Sequence, residues 1–159
     1  MNSMDYNKLV GRDDVSFGDM HPGQFLLGML SAFENAFQAK ADSFFEEITW
    51  KQFFAIICIN LCQESPTINE LSDVMESSHQ NVKQILLKLE KVGFVEIRPD
   101  EKDRRKQRIY LTPKCGEFCA KNEEGSRIMM QKLFDGIDRE QFYSAIEVIG
   151  RMERNLKDM

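Results

Sequence analysis

The four cysteines of this 159-residue chain fall as two pairs, Cys58 with Cys62 and Cys115 with Cys119. On a helix, four-residue spacing puts each pair on one face. Two such dithiols are the raw material of a four-thiolate zinc site or a redox relay. The close C-x-x-C spacing of loop-borne sites is missing, however, and Cys58 is set among Phe53, Ile57 and Leu61. Buried thiols that serve packing are therefore the expectation. His21 and His79 stand alone in sequence, so neither a metal nor a cofactor is expected. The chain has no Gly-rich phosphate loop, no His-carboxylate pairing and no H-E-x-x-H, which leaves no motif on which to build an enzyme.

A second group of residues is suited to phosphate. From Ser78 to Lys114 there are ten basic and five acidic residues, a net +5, while the rest of the chain holds eleven basic and twenty-one acidic ones, a net −10. A basic island on an acidic body is the footprint of a nucleic-acid face that keeps the remaining surface off DNA. Within it, Ser78, His79, Gln80, Asn81, Lys83 and Gln84 form a polar run. Gln and Asn side chains can hydrogen-bond adenine bidentately, and a serine at a helix N-terminus suits phosphate. Lys88 and Lys91, farther along, suit backbone contact or none. The stretch Asp100-Glu-Lys-Asp-Arg-Arg-Lys-Gln-Arg108 then concentrates charge in a turn with no core to serve. Arg104 or Arg105 fits a narrow minor groove, whose negative potential favours a weakly hydrated guanidinium. Lys102, Lys106 and Arg108 are placed to touch phosphates. Asp103 is expected to turn from DNA and pair with a neighbouring arginine, Arg98 being the candidate, so bracing the turn.

These side chains need elements to hold them. Residues 1–20 are polar and irregular and read as an arm ordered against a partner subunit. From Gln24 to about Lys40, Leu26, Met29, Leu30, Phe33 and Phe37 recur at helical spacing. Thr49 and Gln52 make a capping box for a helix that Ser65-Pro66 closes. Thr67 and Glu70 make a second box, opening a short helix through Met75. Ser77-Ser78 supplies a turn and an N-cap. The next helix carries Val82, Ile85, Leu86 and Leu89 on one face and stops at Gly93. Phe94 to Arg98 and Gln107 to Leu111 alternate as two strands. Thr112-Pro113 starts a long helix to about Phe134, and Asp138 with Gln141 caps a last one through Leu156.

Two helices, a tight turn between them, and a following hairpin make a winged helix-turn-helix. The major groove of B-DNA admits one α-helix, so the second helix can present its polar face to base edges. The fold class expected is mainly α with a small β-hairpin wing. The domains are an arm over 1–20, a helical dimerisation region over 21–48 and 113–159, and a winged helix-turn-helix over 49–112. With 42% hydrophobic and 30% charged residues the composition is that of a globular chain. The longest apolar run, Phe53 to Ile59, falls far short of the roughly 18 residues that span a bilayer. With no secretory pattern at the start, a cytoplasmic protein without a membrane partner is expected.

Leu89-Glu-Lys-Val-Gly-Phe-Val-Glu-Ile-Arg98 followed by Asp103-Arg-Arg-Lys-Gln-Arg-Ile-Tyr-Leu-Thr112 resembles the MarR (multiple antibiotic resistance regulator) family. Its members carry L-E-x-x-G and an apolar pair, then a wing of the form D-x-R-x-x-x-[VIL]-x-L-T. With the helix order, the resemblance covers roughly residues 24–155. It implies a homodimer built from the first and last two helices, reading a pseudo-palindromic site on double-stranded DNA as a transcription regulator, in the expected case a repressor released by a ligand or oxidant. It implies that Arg105 is the minor-groove residue and that Ser78 to Gln84 opens the recognition helix. It also implies a cleft for a small aromatic or other apolar effector, for which Met29, Phe33, Trp50, Phe53 and Phe54 are the candidates. Two positions depart from the pattern: Cys115 where the family often has glycine, with Gly116 following, and Ser72 where alanine is common. The rival expectation is a winged helix that contacts an acidic protein instead of DNA.

Overall fold

The computed structural model describes residues 5–159, so the first four residues of the expected arm lie outside the described part. The chain divides into two compact units that meet at the Leu111–Thr112 junction.

The first unit opens with α1 (Tyr6–Val10), capped by Asp5 and ended by Gly11 in the left-handed region. Tyr6 stacks on Phe25 with ring centroids 4.0 Å apart, and Phe17 meets the same ring edge-on at 5.1 Å. Asn7 donates its side-chain amide to the carbonyls of Arg12 and Val15, closing the loop between them. Tyr6 and Phe17, packed on Phe25, supply the apolar contact that a polar-looking segment was not expected to have.

α2 (Pro22–Asp42) and α3 (Trp50–Leu61) follow, the second opened by a complete Thr49–Gln52 capping box. α4 (Ile68–Val74) begins at the Thr67–Glu70 box, and α5 (His79–Lys91) at Ser78, whose hydroxyl accepts from the Asn81 amide. Between them the chain turns at Glu76, which has φ of 46°. The Ser77 amide bonds the Ser72 carbonyl and the Glu76 amide that of Asp73, the pattern that ends a helix through a left-handed residue. Gly93, at φ 80°, closes α5 in the same way, with Phe94 donating to Leu89 and Gly93 to Glu90.

β1 (Val95–Pro99) and β2 (Gln107–Leu111) pair antiparallel, with Val95 opposite Leu111 and Ile97 opposite Ile109. The core lies under them. α3 contributes Ala55, Ile56, Cys58 and Ile59, α4 Leu71, and α5 Val82, Ile85, Leu86 and Leu89, joined by Phe94, Val95 and Ile109. Each large aliphatic chain so buried stabilises by roughly 1.5–3 kcal/mol. The four on α5 therefore fix its rotation, and with it the face left in water.

The second unit is α6 (Pro113–Leu133), capped by Thr112, and α7 (Arg139–Lys157), capped by the Asp138–Gln141 box. α7 leaves Phe142, Tyr143, Ile146, Ile149 and Leu156 exposed. Among the described residues no helix is long and apolar enough to cross a membrane.

Candidate nucleic-acid interface

The α5 stripe that enters the core leaves Ser78, His79, Gln80, Asn81, Lys83 and Gln84 all exposed on the opposite side. Asn81 is already engaged, its side-chain amide donating to the Ser77 hydroxyl at 2.8 Å. His79, Gln80, Lys83 and Gln84 project from the first two turns, the part of a recognition helix that goes deepest into a major groove. Leu87 belongs with them and was not singled out from the sequence. It is 46% exposed, four residues beyond Lys83 and three beyond Gln84, and an aliphatic chain there can meet a thymine methyl. Helical arithmetic from Lys83 would have found it; its apolar type hid it among the core positions.

The hairpin loop faces this helix. Thr67, Asn69, Glu70, His79, Lys83, Arg104, Arg105 and Lys106 line a cleft of about 640 Å³. Four of these side chains are basic, and the only carboxylate, Glu70, is committed to its capping box. Glu70 is held below the usual carboxylate range, first by the Thr67 amide and then by the charges of Arg108 and Lys106. The cleft is thus a cationic trough between a helix and a wing, of the kind that receives a phosphate backbone.

In the wing, Arg105 is almost wholly free, its side chain 95% exposed, with Asp103 at 3.5 Å. The Asp103 carboxylate also accepts from the Arg105 amide at 3.2 Å. Lys102, Arg104 and Lys106 are exposed as well. The sequence expectation of an Asp103–Arg98 brace is corrected here. Arg98 instead pairs with Glu96 two residues back and lies 5.3 Å above the Tyr110 ring. Residues two apart on a strand share a face, which brings Glu96 to Arg98 and leaves Asp103, out in the loop, to its nearest arginine.

Arg108 also departs from expectation. It is not a free phosphate contact. Its guanidinium pairs with Asp100, donates to the Ser65 carbonyl at 2.7 Å and lies 3.6 Å from Glu70. The other Asp100 oxygen accepts from the amides of Lys102 and Asp103 at 2.7 and 2.8 Å. These partners, Arg108 foremost, hold the Asp100 carboxyl at about 2, so it is charged throughout the neutral range. The missed signal was the aspartate at the start of the loop, which the sequence offers as one acid among three.

Phe33, Trp50, Phe53 and Phe54 are linked into one aromatic group through Phe37 and Trp50. Phe33 stacks on Phe37 at 5.8 Å, Phe37 meets Trp50 edge-on at 4.8 Å, and Trp50 lies 6.0 and 6.4 Å from Phe53 and Phe54. Met29 lies one turn before Phe33 on α2 and is exposed. The cysteines are free thiols, Cys58 and Cys115 buried. Cys62 donates to the Cys58 carbonyl, a local bond along its own helix. Among the described residues no group of three or more His, Cys, Asp or Glu is arranged to hold a metal.

Helix, turn, helix and paired hairpin with a cationic trough between them define the first unit as containing a winged helix-turn-helix. The MarR family model matches residues 48–106, and that segment is a MarR-family winged helix. The solved structures extend the likeness. A MarR protein from Peptoclostridium difficile is 19% identical, with a TM-score of 0.78 over 92% of this chain and 96% of its own. MepR of S. aureus, solved as a DNA complex, is 21% identical, with a TM-score of 0.73 over 86% of this chain and 99% of its own. Bordetella bronchiseptica BpsR, described in terms of regulation of its DNA binding by 6-hydroxynicotinic acid, is 16% identical, with a TM-score of 0.73 over 86% and 98%. No curated protein sequence matches at a significant level. The chain thus has the fold of the MarR transcription regulators.

Proposed function

We propose that this chain is a homodimeric, cytoplasmic transcription regulator that binds a pseudo-palindromic site on double-stranded DNA. The observation that carries the reading is the cationic trough between α5 and the wing, on a chain whose net charge is −5. His79, Gln80, Lys83 and Gln84, with Leu87 beside them, read base edges. Ser78 and Asn81 shape the helix start, and Arg105 enters the adjacent minor groove. Lys102, Arg104 and Lys106 meet phosphates. MepR, which shares the fold, is seen on DNA.

The exposed apolar side chains of α7 (Phe142, Ile146, Ile149) and of α2 (Leu27, Phe33) support a second copy as the partner that covers them. The aromatic group around Phe37 supports a small aromatic effector as the signal, as BpsR responds to 6-hydroxynicotinic acid. Such a molecule acts as a release signal for a repressor if it prefers a dimer whose recognition helices no longer match the half-site spacing.

The test is Arg105→Ala against duplex DNA from upstream of the chain's own gene. Arg105 is 95% exposed and pairs with Asp103 of its own loop, so the variant should fold and assemble as before. It should lose at least about 1 kcal/mol of binding, the scale of one good groove contact. Footprints should show two chains on a symmetric site. Unchanged affinity at physiological salt would refute the role of Arg105.

A further inference from the structure

We infer that Asp100 and Arg108 form a positioning device, which locks the wing to the start of the helix-turn-helix and so sets where Arg104 and Arg105 meet DNA. The inference rests on the DNA-binding reading above and adds two residues that do not themselves touch DNA.

Arg108 reaches in two directions at once. One edge of its guanidinium is bound to Asp100, at the root of the loop; another donates to the Ser65 carbonyl at 2.7 Å, 43 residues away in sequence. Only 22% of its side chain is exposed, against 95% for Arg105. The same stretch of β2 is tied to the chain before α4 by backbone. The Ile109 amide donates to the Pro66 carbonyl at 2.9 Å, and Thr67 bridges Arg108 as a third, one-residue strand. Asp100 fixes the other end. With one oxygen on Arg108 it uses the second to hold the Lys102 and Asp103 amides, and its own amide donates to the Lys106 carbonyl. The loop that carries Arg104 and Arg105 is therefore closed at its root. Only a planar fork of donors serves both Asp100 and Ser65; the single ammonium of a lysine does not.

Charge makes the inference testable, because two accounts of Asp100 predict opposite signs. If the wing is only a cluster of charge, a carboxylate beside it weakens DNA binding, and Asp100→Asn should tighten it. If Asp100 positions the wing, the same change should weaken binding although the protein has become more positive. Asparagine keeps the oxygen that accepts from Lys102 and Asp103, so the loop can still turn.

The experiment measures the affinity and salt slope of the full chain on the upstream duplex and on a random-sequence duplex, for Asp100→Asn, Arg105→Ala and the double variant. Amide exchange on the free proteins accompanies it. The expected result is binding about tenfold weaker for Asp100→Asn, the scale of one lost groove contact, with a shallower salt slope. Arg105→Ala should then add little, since a mispositioned arginine has little left to lose. Exchange should quicken over residues 102–109 and stay slow in α5. A loss of global stability alone would not produce that coupling with Arg105. Equal or tighter binding, full additivity with Arg105→Ala, or unchanged exchange in the wing overturns the inference. If the unsubstituted chain binds neither duplex, the DNA reading falls, and quickened wing exchange in Asp100→Asn still supports the lock.

Discussion

Cys58 and Cys115 sit where a thiolate is hard to make. Burial raises the Cys115 thiol to about 12, with the charge of Cys119 and the hydrogen bond that the Cys115 thiol gives to it adding to the effect. Burial also raises Cys58, with Cys62 contributing. A thiol whose folded pKa lies above the unfolded value of about 8.5 contributes stability that is fully present below that value. The contribution is lost as pH climbs from there towards 12. With an aromatic disulfide reagent at pH 8, Cys62 and Cys119 should react first, while Cys58 and Cys115 react only as the chain unfolds. Rapid modification of Cys115 in the native chain would contradict its burial. The residue types alone suggested packing thiols, because an i, i+4 pair amid aromatics is what a core contains. Arg108 was not readable in that way. Asp100 was one acid among three in the loop, and nothing near Arg108 in sequence indicates Ser65 as its other partner, since a contact spanning 43 residues exists only once the helices have packed.

At the scale of elements, the turn between α4 and α5 decides how α5 is presented, and it passes through a left-handed residue that is not glycine. A side chain at φ 46° carries a strain of roughly 1–2 kcal/mol. Glu76→Gly removes that strain but also loosens the unfolded chain. The net expectation is a gain of up to about 1 kcal/mol, read as a higher urea midpoint with unchanged slope. A clear loss would mean that the Glu76 side chain contributes more than its backbone costs. Capping boxes at Thr49 and Thr67, the Ser78 cap, the stop at Gly93 and the period-two strands were all legible, because each is local chemistry repeated within a few residues. α1 was not. Five residues are too few for a helical period to show, and what holds α1 in place is Phe25, a ring on another helix.

For the whole molecule, the distribution of charge matters more than its total. A chain of net −5 approaches DNA by one face only if its cations are gathered there, and Lys83, Arg104, Arg105 and Lys106 all border one trough. The second unit has the opposite character: α7 presents apolar side chains that the single chain does not cover. Its amphipathic spacing was evident in the sequence, whereas the helix that would cover it belongs to another molecule on the reading proposed here.

The central claim is that this trough binds the backbone of duplex DNA, and the salt dependence of binding tests it most directly. The measurement is the association constant for the upstream duplex across a series of salt concentrations. With four or more phosphates engaged at about −0.9 each, log K should fall against log salt with a slope of about −4 or steeper. The same titration with random-sequence DNA should give a comparable slope at weaker affinity. A slope near zero, or no binding to either duplex at low salt, would contradict the account and favour an acidic protein as the wing's partner.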